Sequence, residues 1–250
     1  MKYLEIILFK TWADIRAEAS RAYIGFLWWF IEPILYMGTF YLLFGLGLRY
    51  GKDGFVYFLL CGLIPWKWFS STIANGSRAI EANAGIIHQV YLPKYILAAI
   101  TVSINTVKVL MIFPFLLIFL LASDIPLTIH WLAFPAIFLL QFMLVLSITS
   151  LLSAIVPFVP DLKYLIENGL LLLMFLSGVF FNIADFSPSV KVILYLNPMA
   201  LLIKNYREVL LYGHWPSIFD MVYVFCWAVF IGLLAYWALN KFDRRFVKVL

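Results

Sequence analysis

YILAAITVSINTVKVLMIFPFLLIFLL, residues Tyr95–Leu121, runs for 27 residues with a single charge, Lys108. About 20 mostly apolar residues are enough for a helix to cross a bilayer, so this stretch reads as a membrane span. Outward from it lie five more of the same kind, roughly 26–48, 55–77, 131–156, 164–184 and 218–239. Turn chemistry separates them, at Gly51-Lys52-Asp53-Gly54, at Ser123-Asp124-Ile125-Pro126, and from Pro157 through Pro160-Asp161. The expected fold is an all-α integral membrane protein with six transmembrane helices.

The composition agrees. The 250 residues are 65% hydrophobic, 19% aromatic and 12% charged, with a mean hydropathy of +0.99. Soluble domains carry about 25% charged and about 45–50% apolar residues, and one core of this length has no room for the excess. A soluble enzyme, a DNA-binding domain and a disordered tail are excluded. The runs are too long for the short alternating strands of an outer-membrane barrel.

The net charge of +5 reads as basic loops on the cytoplasmic side, not as affinity for nucleic acid. Six spans put both termini on one side. With that side inside, Lys2, Lys10, Arg16, Arg21, Arg78, Lys94, Lys163, Lys241, Arg244, Arg245 and Lys248 are cytoplasmic. Outside are then Arg49, Lys52, Lys191, Lys204 and Arg207, so the bias favours cytoplasmic termini. The N-terminus lacks the apolar core of a cleavable signal peptide and is expected to stay.

Two segments are amphipathic without spanning. Leu4, Leu8, Trp12, Ile15, Ala19 and Ala22 recur at three- and four-residue steps and share one helical face, with Lys10, Asp14, Glu18 and Arg21 largely opposite. Such a helix lies in the membrane interface, as an anchor or as a docking surface for a partner. Between spans five and six, Asn197-Pro198 offers an N-cap with a first-turn proline, and Gly213 a helix stop. About 15 residues make a helix of roughly 22 Å, too short to cross, so a re-entrant or interfacial helix on the outer face is expected.

Catalytic chemistry is hard to find. His88, His130 and His214 are far apart in expected loops, the acids are scattered, and no metal site is expected. Cys61 and Cys226 lie in apolar stretches with no ligand spacing. Gly45 through Asp53 faintly resembles a phosphate loop, but five residues separate the outer glycines and Asp53 follows Lys52 where Ser or Thr is needed. If ATP drives this protein, another chain must bind it. Charge at membrane depth says more. Glu32, Lys67, Lys108 and Glu167 fall within expected spans, where each costs roughly 2.5–3.5 kcal/mol and faces a polar cavity or a partner. Lys67 and Glu167 lie near span ends and can snorkel; Lys108 is central, a pore or packing residue. Trp29, Tyr36 and Phe40 recur at helical spacing, either as packing or as an aromatic face along which sugar rings could pass.

The order of motifs resembles one family. Arg21 through Trp29 and Glu32-Pro33 come first, then Gly62-Leu63-Ile64-Pro65-Trp66 with Phe69-Ser70. Asn83-Ala84-Gly85-Ile86-Ile87 and Val90-Tyr91-Leu92-Pro93 follow, then Pro160-Asp161-Leu162, Phe175 through Phe181, Leu196-Asn197-Pro198-Met199 and Tyr206-Arg207. Together they resemble the membrane subunit of ABC exporters for bacterial cell-surface polysaccharides, the group handling O-antigen, capsule and teichoic acid. The chain departs at Gly178, where many relatives have proline.

The resemblance implies a single transmembrane domain over residues 1–250. It comprises an interface helix (1–24), a six-helix membrane region (26–239) with short re-entrant helices between spans five and six, and a cytoplasmic tail (240–250). Such subunits sit in the bacterial inner membrane as homodimers with two copies of a separate ATPase, which holds the ATP and magnesium; the chain itself needs no cofactor. A coupling helix between spans two and three, roughly Ile80 to Lys94, would meet that ATPase through Glu81, Asn83, His88, Gln89, Tyr91, Pro93 and Lys94. Asn197, Pro198, Tyr206 and Arg207 would form an outer gate, and Trp29, Tyr36, Phe40 and Lys108 the path of a lipid-linked polysaccharide. The alternative is a permease of the same architecture for a drug or free lipid. A membrane-embedded enzyme acting on polyprenyl-linked sugars would need clustered acids, and an ion-coupled transporter midplane acids and half-related repeats; neither pattern is evident.

Overall fold

The computed structural model describes residues 2–21, 25–28, 31, 34–35, 38–39, 42, 54–89, 92–123 and 125–249. Within them the helices are α1 (Lys2–Arg21), α2 (Phe55–Ser77), α3 (Ala79–Ala82), α4 (Ala84–Gln89), α5 (Tyr95–Leu121), α6 (Phe134–Ile155), α7 (Leu162–Leu176), α8 (Pro188–Leu194), α9 (Pro198–Leu210) and α10 (Ile218–Val249). Short 3₁₀ turns at Ile129–Ala133, Val156–Phe158 and Ile183–Asp185 join some of them. No strand occurs among the described residues.

Among the described residues three helices are long and apolar enough to cross a membrane: Tyr95–Leu121, Ile129–Phe158 and Ile218–Asp243. The bounds of α5 and α2 coincide with the expected 95–121 and 55–77, but α2 carries Lys67 and turns polar at Ser70, Ser71, Thr72 and Asn75. The C-terminal bound of the expected fifth span, 164–184, is corrected. The helix α7 ends at Leu176 after 15 residues, about 22 Å at 1.5 Å per residue, against a hydrocarbon core of about 30 Å. The chain then turns through Gly178 at φ 69°, a left-handed conformation that glycine adopts freely and that proline, locked near −65°, cannot. Most of the expected first span, with Trp29, Tyr36 and Phe40, lies outside the described residues.

Lipid is as apolar as a leucine side chain, so helices in it associate through close packing and small residues. Accordingly α2 and α6 meet where Gly76 faces the Thr149 methyl, and α6 and α10 where a Cβ on Gly232 would come within 3.0 Å of Ser147 Oγ. Aromatic rings fill the main core between α2, α5, α6 and α9. Trp68 stacks on Phe138 at 4.5 Å, and Phe113 meets Phe134 at 4.9 Å and Tyr206 at 5.9 Å. A smaller cluster at the other end unites α3, α4, the start of α5 and the ends of α6 and α10 through Ala79, Ile80, Ile87, Leu97, Ala154, Leu239 and Phe246.

The amphipathic stripe of α1 is covered only at its C-terminal half. Thr11 and Ile15 are buried against the bundle, whereas Leu4, Leu8 and Trp12 are exposed. An apolar gap separates Ile6 and Phe9 from Ile86, Leu92, Leu97 and Ile100.

Candidate functional site

The segment from α3 to the start of α5 has an inner and an outer face. Ile80 and Ile87 are buried, and the Asn83 side chain donates to the Ala79 carbonyl at 2.8 Å, closing the bend between α3 and α4. His88 and Gln89 face outward, Glu81 and Pro93 are half-buried, and Tyr91 lies outside the described residues. His88 sits on α4, not in a loop as expected. Lys94 belongs to the inner face. Its side chain is 3% exposed and its Nζ lies 3.1 Å from Asp243 Oδ1 near the end of α10. Nothing in the sequence near Lys94 points to Asp243.

Lys108 reaches the other terminus. Its Nζ donates to both Glu18 carboxylate oxygens at 2.6 Å, fastening the end of α1 to the middle of α5. The pair borders a cavity of about 220 Å³ whose polar lining includes Lys67, Ser71, Asn75 and Asn105. The Lys108 ammonium thus has a carboxylate, neutral polar groups and a second cation, Lys67, around it. Arg78 pairs with Glu167 of α7.

The helix α9 starts as its sequence predicts. Asn197 caps it by accepting from the Met199 N–H at 3.0 Å, Pro198 occupies the first turn, and the Asn197 amide donates to Ser177 Oγ at 2.8 Å. Tyr206 is fully buried against Phe113 and Phe134. Beside it, the Arg207 guanidinium is clamped by three carbonyls: Nε donates to Phe58 at 3.0 Å, Nη1 to Gly178 at 2.7 Å and Nη2 to Val179 at 2.7 Å. The Phe58 ring centroid lies 3.4 Å from its Cζ. Gly62 makes the room, since a Cβ there would lie 2.5 Å from Nη2. Burial lowers the Arg207 pKa to about 9, still above neutrality, so the group remains a cation. Its five fixed N–H donors suit carbonyls converging from two elements in a way that a lysine ammonium does not. The rest of α9 is tied as well: Lys204 and Asn205 reach Asp220 of α10 at 2.8 and 3.2 Å, and Glu208 accepts from His214 at 2.8 Å.

The expected site residues therefore fall into separate groups. One is the α3–α4 segment; another is the α9 clamp; Lys108 stands between them beside α1. Sequence reasoning missed Glu18, Asp243, Asp220 and Phe58, each of which meets its partner only through the fold. Among the described residues no group of three or more His, Cys, Asp or Glu side chains is placed to hold a metal ion.

The profile of the family described as ABC-2 type transporter matches residues 7–211, from α1 through α9. The O-antigen export system permease protein RfbA of Myxococcus xanthus is 28% identical over 210 residues, covering 83% of this chain and 81% of that protein. Two Klebsiella pneumoniae proteins of the same name are 23% and 25% identical over 256 and 258 residues, covering 100% of this chain and 98% of theirs.

Proposed function

Because the chain belongs to the ABC-2 type transporter membrane family, we propose that it is the transmembrane subunit of an ATP-driven exporter moving a lipid-linked polysaccharide across the bacterial cytoplasmic membrane. The observation that carries this reading is the end-to-end similarity to permeases named for O-antigen export. The subunit works as a homodimer with two copies of a separate ATPase, which supplies ATP and magnesium. Each copy crosses the membrane six times within a single domain, α7 together with the turn from Ser177 to Phe181 making the fifth crossing, and both termini lie in the cytoplasm.

The proposed ATPase docks on the outer face of α3 and α4, where His88 and Gln89 are exposed and Ile80 and Ile87 anchor the segment from behind. ATP binding draws the two ATPase copies together, and the segments carry that motion into the membrane. Coupling of this kind needs two discrete arrangements of the dimer. The polysaccharide passes along a path lined by Trp29, Tyr36, Phe40 and Lys108. At the far end, Asn197, Pro198, Tyr206 and Arg207 hold α9 as the outer gate.

Co-expression with the ATPase encoded beside it, followed by pull-down from detergent, tests the reading. The expected result is a complex holding two copies of each chain, with ATP hydrolysis stimulated by lipid-linked glycan. A chain that captures no ATPase overturns the reading. A complex stimulated by a drug or a free lipid but not by glycan overturns the substrate class alone.

A further inference from the structure

We infer that the C-terminal end of α10 is part of the coupling device, and that Asp243 is a positioning residue which makes α10 move with the α3–α4 segment. The inference rests on the proposed docking of an ATPase at that segment. Its basis is the contact between Lys94 and Asp243 at 3.1 Å, set in a cluster of closely packed side chains. Lys94 is 4% exposed, Ile80 and Phe246 are 0%, and Ile87 is 6%. Phe158, at the end of α6, lies 5.1 Å from Phe242 and 5.3 Å from Phe246, ring to ring. The C-terminal turns of α10 are thereby wedged between the α3–α4 segment and α6.

Two physical facts make this a mechanical link. Close-packed interiors have low compressibility, so a displacement of one element is passed on instead of absorbed. A slide of the α3–α4 segment and the start of α5 past α10 would also draw the buried Lys94 ammonium away from the Asp243 carboxylate, and separating a buried charge from a partner is costly. The segment and the end of α10 therefore move as one body. From there α10 runs beside α6, with Gly232 and Ser147 in close approach, to its far end, where Asp220 holds Lys204 and Asn205 of α9. The helix is a lever joining the ATPase side to the outer gate.

The test uses the full chain in complex with its ATPase, with Cys61 and Cys226 replaced by alanine and nitroxide labels at Val222→Cys, an exposed position near the far end of α10. The probe is MgATP with a hydrolysis-deficient ATPase partner, and the readout is the distance between the two labels of the dimer. MgATP is expected to shift that distance. Asp243→Asn is expected to reduce the fraction of complexes that shift by between about twofold and thirtyfold, with ATPase capture and ATP binding unchanged. Asp243→Glu, which keeps the charge, and the exchange Lys94→Asp with Asp243→Lys are both expected to restore it. An undiminished shift in Asp243→Asn, or no shift in the parent complex while ATP is bound, overturns the inference. Should Asp243→Asn fail to assemble, Phe246→Leu decides: an unchanged shift there overturns it as well. If the parent chain captures no ATPase, the docking reading itself has failed.

Discussion

The sharpest test of the α9 clamp is a pair of substitutions whose effects should change sign. In the parent chain, Gly62→Ala places a methyl group 2.5 Å from Arg207 Nη2. That nitrogen cannot swing aside freely, because it donates to the Val179 carbonyl at 2.7 Å while its neighbours hold Phe58 and Gly178. Losing one hydrogen bond from a charged donor costs about 1.5–3 kcal/mol. Alanine returns about 1 kcal/mol of helix propensity relative to glycine. The net is a destabilisation of about 0.5–2 kcal/mol, or a fall of about 1–8 °C in the thermal midpoint of a chain this size. In the Arg207→Ala background only Ile203 Cγ2, at 3.3 Å, still lies close to the added methyl. There Gly62→Ala should be neutral or stabilising, by up to about 1 kcal/mol. The assay is the midpoint of the detergent-solubilised protein, taken at one scan rate for all four members of the cycle. Equal costs of Gly62→Ala in the two backgrounds would show that Gly62 does not make room for the guanidinium, and would refute the clamp as described.

Three further outcomes are expected. Gly178→Pro cannot adopt φ 69° and should cost at least about 3 kcal/mol, so its monodisperse yield on gel filtration should collapse; a normal yield would show that the turn after α7 tolerates another path. Glu18→Gln should leave the thermal midpoint within about 1 kcal/mol of the parent, because Glu18 is half-exposed and such pairs contribute little. It should nonetheless speed proteolytic cleavage at Arg16, and an unchanged rate would mean that Lys108 does not hold α1 down. His88→Ala combined with Gln89→Ala removes two exposed side chains and should change stability by less than about 0.5 kcal/mol. Capture of the ATPase should weaken, and an undiminished pull-down would move the docking face elsewhere.

Hydropathy read the long helices well because their bounds are set by composition. The runs at 55–77 and 95–121 end where polar or turn residues begin, and α2 and α5 end there too. Asn197-Pro198 was legible for a local reason, since a cap and a first-turn proline act within a few residues of each other. The overshoot after Leu176 has a non-local cause. Val179, Phe180 and Phe181 are as apolar as any span, but the carbonyls of Gly178 and Val179 are taken by Arg207 from a later helix, and only Gly178 hinted at a turn. The charges in expected spans were visible as anomalies. Hydropathy reports what such a charge costs, not which partner relieves it, so Glu18 for Lys108 and Arg78 for Glu167 emerged only with the fold.

Three cations, Lys94, Lys108 and Arg207, share a placement that bears on how the bundle moves. Lys94, at the start of α5 just after the α3–α4 segment, joins it to the end of α10, Lys108 joins α1 to α5, and Arg207 joins α9 to α2 and to the turn after α7. Each lies where two elements meet. For α9 the consequence is strict, because most of its polar side chains are committed at both ends and along its length: Asn197 to Ser177, Lys204 and Asn205 to Asp220, Arg207 to three carbonyls, and Glu208 to His214. A helix of 13 residues fastened in this way has no low-cost route to swinging out alone, since the buried carbonyls of Gly178 and Val179 left behind would be unsatisfied polar groups. An outer gate built on α9 must open as a block that includes the start of α10 and the turn at Gly178. Asp220 and Asp243, near opposite ends of α10, make that helix the element through which a push at the α3–α4 segment reaches the block.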